Sequence, residues 1–117
     1  MQFVMFVYQG SAPVPGSDRW KALTEAEQKQ IYADYGEFNK TKGVTAGLPL
    51  GLANASRTVQ VRDGQAQVKN GTFHSEAPAG HAVVEADSID AVVALAAKIP
   101  AARLGGAVEI RPAEKYW

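Results

Sequence analysis

Three side chains in the middle of the chain are of the types that move protons: His74, Glu76 and His81. An imidazole titrates near neutrality, so either histidine could serve as a general acid or base. His74 and Glu76 stand two apart, so on extended backbone they point the same way and the carboxylate could orient the ring. Two histidines and a carboxylate are also a known metal-ligand set. Nothing in their loop spacing imposes such a site, and neither a metal nor a cofactor is expected. The plainer reading makes His74 and Glu76 decoration on a solvated loop, and His81 a locally bonded strand residue. Tyr8, Tyr32 and Tyr35 could line a pocket between a helix and a sheet, although tyrosines at helical spacing more often serve the core. Arg57, Arg62 and Arg103 could clamp an anion or simply face water. Ser11 and Ser17 lie in no nucleophile elbow, and no phosphate-cradling glycine pattern occurs. The chain has no cysteine, which removes thiolate chemistry and disulfides.

These residues need elements to hold them. Phe3–Tyr8 (FVMFVY) is a continuous apolar run, which predicts a strand buried on both faces. Gln9–Trp20, rich in Gly and Pro, predicts a loop. Thr24 followed by Glu27 fits a capping box and opens a helix that Gly43 ends, with Ile31, Tyr35 and Phe38 as its buried stripe. Gly36 within that helix reads as a point of close packing. Val44–Ala53 is apolar but broken by Gly47, Pro49 and Gly51, so it predicts a bent or edge strand. Thr58–Arg62 and Gln65–Lys69 alternate, and Asp63-Gly64 between them predicts a two-residue hairpin. Its apolar face carries Val59, Val61, Ala66 and Val68. Asn70–Gly80 is then a loop and His81–Ala86 a strand. Asp87 or Ser88 caps a second helix with the stripe Ile89, Val92, Val93 and Ala96, stopped by Pro100. Ala107–Arg111 is the last strand, before Pro112 and the tail Ala113–Trp117.

The order β, α, β, hairpin, β, α, β gives an α+β chain: a ferredoxin-like antiparallel sheet with two helices on one face and an inserted hairpin. The chain is read as one domain over 1–117. Two helices cover only one sheet face, yet both sides of Phe3–Tyr8 are apolar. Burying each large apolar side chain is worth ~1.5–3 kcal/mol. The bare face therefore calls for a second copy of the chain, as a homodimer with sheets packed face to face. His81 shares a face with Val83 and Glu85. If that face looks into the dimer, His81 and Glu85 enter the cleft between the sheets.

Composition narrows the partners. Hydrophobic residues make up 46% of the 117 and charged ones 21%, ordinary for a soluble globular chain. Twelve Lys and Arg balance twelve Asp and Glu with no basic tract, so neither nucleic acid nor an anionic membrane is expected as a partner. The apolar start MQFVMFVYQG is too short to span a bilayer and lacks the basic residues that begin a signal peptide, so a cytoplasmic location is expected.

Several stretches together resemble the YCII-related proteins, and in particular the branch named for an Asp-Gly-Pro-Phe motif. They are the opening strand ending in Tyr8, YADYGEFNK, GVTAGLPL, TVQVRDG, NGTF at Asn70–Phe73, and IPAARLGGAVEIRP. The resemblance implies a dimeric α+β barrel whose biochemical role is largely unassigned, with small-molecule binding or a regulatory role as the expectation. The motif reads Asn70-Gly71-Thr72-Phe73 here, so its carboxylate has become an amide, with Glu76 the nearest acid after it. In another branch a histidine on the first helix and an aspartate after the second are proposed as a catalytic pair. This chain has no histidine in its first helix, and Ile99-Pro100 stands where that branch has Asp-Pro. The candidates carried forward are His81 with Glu76 for acid–base work, and Tyr8, Tyr35, Asn70, Phe73 and His74 for holding a ligand.

Overall fold

A computed structural model describes residues 1–116. Its centre is a four-stranded antiparallel sheet in the order β2-β5-β1-β6. Strand β1 (Gln2–Tyr8) lies between β5 (Gly80–Glu85) and β6 (Ala107–Pro112), and β2 (Val44–Ala46) flanks β5. The register pairs Phe6 with His81 on one side and with Glu109 on the other. This strand order is that of a ferredoxin-like α+β sheet, as the sequence predicts.

Strand alternation divides the sheet into two unlike faces. Phe3, Met5, Ala82 and Val84 are buried under the helices, together with Phe38, Val92, Ala96, Ile99 and Ala101. Val4, Phe6, Tyr8 and Val83 point the other way and are only half buried, with His81, Glu85, Glu109 and Arg111 exposed around them. The expectation that β1 is buried on both faces thus holds within the chain for one face alone.

Helix α2 (Glu25–Lys40) starts at the predicted capping box: Thr24 Oγ1 accepts from the Glu27 amide, and Glu27 Oε1 from the Thr24 amide. The second bond holds the Glu27 carboxyl below its usual range. Ile31 and Phe38 are buried and Tyr35 is half buried, so the stripe is as read. The helix ends at Lys40, and Gly43 (φ 88°) instead turns the chain into β2. Gly36 is not a packing point, because nothing lies within 4 Å of where its Cβ would stand. Gly36→Ala is therefore expected to stabilise the chain by about 0.5–1 kcal/mol through helix propensity alone, read as a higher urea midpoint.

Other readings need correction. The Gln9–Trp20 segment is not all loop, because Asp18–Lys21 forms a short helix, α1, capped by Ser17. The predicted strand Val44–Ala53 keeps only three residues in the ladder. Pro49 has no N–H to donate, and beyond Ala46 only the Gly47 and Leu50 amides still reach the neighbouring chain, at His81 O and Ala79 O. Helix α3 (Ile89–Ala96) is capped by Ser88, but Ile89 and Val93 of its expected stripe are exposed while Val92 and Ala96 are buried. Pro100 does more than stop that helix, since it opens another, α4 (Pro100–Arg103), where its fixed φ suits the first turn. Trp117, the end of the predicted tail, lies outside the described residues.

Asp34 on α2 and Arg103 on α4 form an ion pair that ties the two helices. The Gln30 amide, and after it Arg103, hold the Asp34 carboxyl below the usual carboxylate range. A depressed carboxylate stabilises the fold above its unfolded pKa, and this is lost as pH falls through the folded value. Asp34→Asn is thus expected to remove a small part of the acid-side stability loss, about 0.2–1 kcal/mol for a partly exposed pair. Denaturant midpoints of the two proteins should converge as pH falls through the depressed folded-state pKa of Asp34, where its carboxyl too becomes neutral.

Strands β3 (Arg57–Arg62) and β4 (Gln65–Asn70) pair only with each other and make a separate two-stranded sheet. The turn is the predicted one: Asp63 (φ 51°) and Gly64 (φ 76°) both take the left-handed values that a tight hairpin requires. The chain measures 53 × 39 × 19 Å with a radius of gyration of 16.3 Å. A compact chain of this length would have a radius of about 13 Å, so the fold is flat and extended. No helix among the described residues is long and apolar enough to cross a membrane.

Candidate functional site

One end of the layer between α2 and the sheet is not filled by side chains. A cleft of about 450 Å³ opens there, within the 300–1,000 Å³ span of small-molecule sites. Val7, Ala46, Ala82 and Ile99 form its floor. Ile31, Tyr32, Tyr35, Phe38 and Asn39 make the helical wall. Pro13, Val14, Pro15 and Trp20 close one side, and Gly47, Leu48, Pro49 and Ala79–His81 the other.

The walls are set by local chemistry. Both Gln9 amide hydrogens go to backbone carbonyls, of Ala12 (3.3 Å) and Pro13 (3.2 Å), which fixes the proline-bearing loop. Ser17 caps α1 by accepting from the Trp20 amide, and the Gln28 side chain holds the Trp20 carbonyl at 2.9 Å. The buried Trp20 ring meets Tyr32 edge to face, with centroids 5.3 Å apart and planes at 70°. That geometry suits the positive edge and negative face of aromatic rings. Burial pushes the Tyr35 phenol above its ordinary pKa, against a hydrogen bond from the Ala101 backbone and the charge of Arg103. Its hydroxyl thus faces α4 while its ring lines the cleft.

The lining has a clear chemical bias. None of its residues is Asp, Glu, Lys or Arg, and the polar side chains that reach it are Gln9, Tyr32, Tyr35 and Asn39. Gln9 has spent its donors, so what it offers a ligand is its amide oxygen. An anion would find no fixed cation here and would lose its hydration without compensation.

Of the residues singled out from the sequence, the fold brings Tyr32 and Tyr35 to this cleft. The backbone of His81 borders the cleft, but its exposed side chain is on the open face of the sheet, where its ring lies across Gly47 and fills the space where a Cβ would stand. Tyr8 faces the open side of the sheet, while its neighbour Val7 reaches the cleft. Asn70 ends β4 on the arm, exposed. Phe73 stacks obliquely on His74, centroids 4.5 Å apart, and both are exposed, as is Glu76. No group of three His, Asp or Glu among the described residues is placed to share a metal ion. Trp20, Ile31, Phe38 and Leu48 were not anticipated as lining. Their one sequence signal is the set of prolines 13, 15 and 49, which mark the loops on either side of the mouth.

A family model described as "YCII-related domain" matches residues 1–115. A search of curated proteins finds no match.

Proposed function

The chain belongs to the YCII-related domain family, and on that premise we propose that it is a dimeric, barrel-forming domain that binds an uncharged, largely aromatic small molecule in the cleft between α2 and the sheet. The observation that carries the reading is the cleft itself, apolar, aromatic on its helical wall and free of ionised side chains. An uncharged ring system would stack against Tyr32 and Phe38 and lose little hydration on entry. The gain comes from apolar burial, with Gln9 or Asn39 left to fix orientation. The bare face of the sheet supports the dimer, since Val4, Phe6 and Val83 stay half exposed in the single chain.

The test uses Trp20 as its own reporter. In a Trp117→Phe background, titration with 1-naphthol is expected to shift and quench Trp20 emission in a saturable way, and titration with 2-naphthoate is not. Val14→Arg would put a cation at the rim, where Val14 is partly exposed. It is expected to weaken 1-naphthol binding about tenfold and to admit the naphthoate. No saturable change with either probe would remove the reading.

A second reading makes the chain a cofactor-independent enzyme using His81 with Glu76 as acid–base groups. Its support is that His81 stands exposed on the open sheet face opposite Phe6, where a second sheet would enclose it. Under it, His81→Gln would abolish turnover of any substrate found while leaving binding intact. If binding and turnover both survive His81→Gln, His81 has no such role.

A further inference from the structure

The two-stranded arm has no apolar cover of its own. Val59, Val61 and Val68 are 59%, 68% and 65% exposed, and they line up on one face because Val59 pairs with Val68 and Val61 with Ala66. Neither strand packs extensively on any other element. An isolated hairpin is marginal in water, yet this one is held firmly at its base. The Gly71 amide donates to Ser56 O at 2.8 Å, and Thr58 Oγ1 donates to Gly71 O at 2.8 Å. A hairpin fixed at the root, with a valine face turned outward, is built to lie on something.

We propose that the arm lies with its valine face on a second copy of this chain, as a clasp around the dimer. The inference rests on the dimeric reading above and adds where the rest of the interface comes from. Two arguments choose a second copy over another protein. The first is area. Four strands at about 4.8 Å spacing and about 3.3 Å rise per residue give the open sheet face roughly 400 Å² in plan, about half of the ~800 Å² per partner in a stable dimer. The arm adds roughly 200 Å² on the same dimensions, and the segment leading into it carries the exposed Leu48, Leu50 and Leu52. The second is charge. Residues 57–70 carry Arg57, Arg62 and Lys69 against Asp63 alone, a balance of plus two, while the whole chain is neutral. The remainder is therefore two charges negative, so the arm and the body of another copy attract.

The experiment is sedimentation velocity across the micromolar range on the wild type, Val61→Asp on the arm's apolar face, Gln60→Asp on its polar face and Phe6→Asp on the open sheet face. Far-UV circular dichroism reports folding of each. The clasp requires a wild-type dimer, a dissociation constant raised about 30-fold or more by Val61→Asp, and a clearly smaller rise for Gln60→Asp. If Phe6→Asp breaks the dimer and Val61→Asp does not, the clasp is wrong and the sheet-to-sheet dimer stands. A wild-type monomer overturns both. Should Val61→Asp fail to fold, hydrogen exchange on the wild type decides. Amides 58–69 are expected to gain protection as concentration rises through the dimer's formation, and exchange independent of concentration overturns the clasp.

Discussion

Gly106→Ala is expected to cost about 3 kcal/mol or more, whereas the same methyl group meets open space at Gly36. Gly106 sits where α4 hands over to β6. Its amide donates to Ala101 O at 2.8 Å. A Cβ there would run into three carbonyl oxygens, those of Tyr8, Gln9 and Ala101. All three are backbone atoms, held by the β1–β6 ladder and by α4, so none can rotate aside as a side-chain tip would. Relief requires the end of β1 to separate from β6, and those strands carry the core. The cleft should suffer as well, since Val7 and Gln9 lie at the same end of β1. Urea denaturation of Gly106→Ala beside Gly36→Ala is the sharpest comparison, because the same added methyl should move the midpoint in opposite directions. A Gly106→Ala midpoint equal to the wild type's would mean that the backbone there yields easily.

Phe3→Ala and Phe6→Ala should differ as strongly, although they are three residues apart on one strand. Phe3 is 1% exposed, beneath the helices in the core. Truncating it removes a fully buried ring and leaves a cavity, for an expected loss of about 3–5 kcal/mol. Phe6 is half buried on the open face, opposite His81. With part of the ring already in water, its truncation should cost the isolated chain clearly less. Its larger effect is expected in self-association, as weaker dimerisation in sedimentation velocity. Equal losses of folding stability, with association unchanged, would mean that the two faces are not energetically distinct.

Much of the fold could be read from the sequence because it is written in local patterns. The capping box at Thr24, the Asp63-Gly64 turn and the apolar run Phe3–Tyr8 each depend on neighbours within a few residues, and each is found where expected. What could not be read depends on distant parts of the chain. Gly36 looks like a packing glycine until the space around it is seen to be empty. Ile89 and Val93 have helical spacing for burial, yet in the fold both are exposed while Val92 and Ala96 take the buried side. The cleft is the clearest case, since its walls come from five separate stretches of sequence. Only its prolines and the helical pair Tyr32 and Tyr35 carried any local mark. Histidines attract notice in a sequence by their chemistry, whereas a void lined by Val, Ile and Phe has no signature until the chain is folded.

The outer strands of the four-stranded sheet have a consequence for solubility. β2 keeps three residues in the ladder before the backbone reaches Pro49, and β6 finishes on Pro112. An unpaired strand offers a row of amides and carbonyls on which a further chain can template, and repetition of that step builds a fibre. Here one margin is too short to hold an incoming strand and the other closes on a residue with no N–H. Growth of the sheet sideways is hindered at β2 and at the Pro112 end of β6, which limits the length of rim on which a further strand could pair.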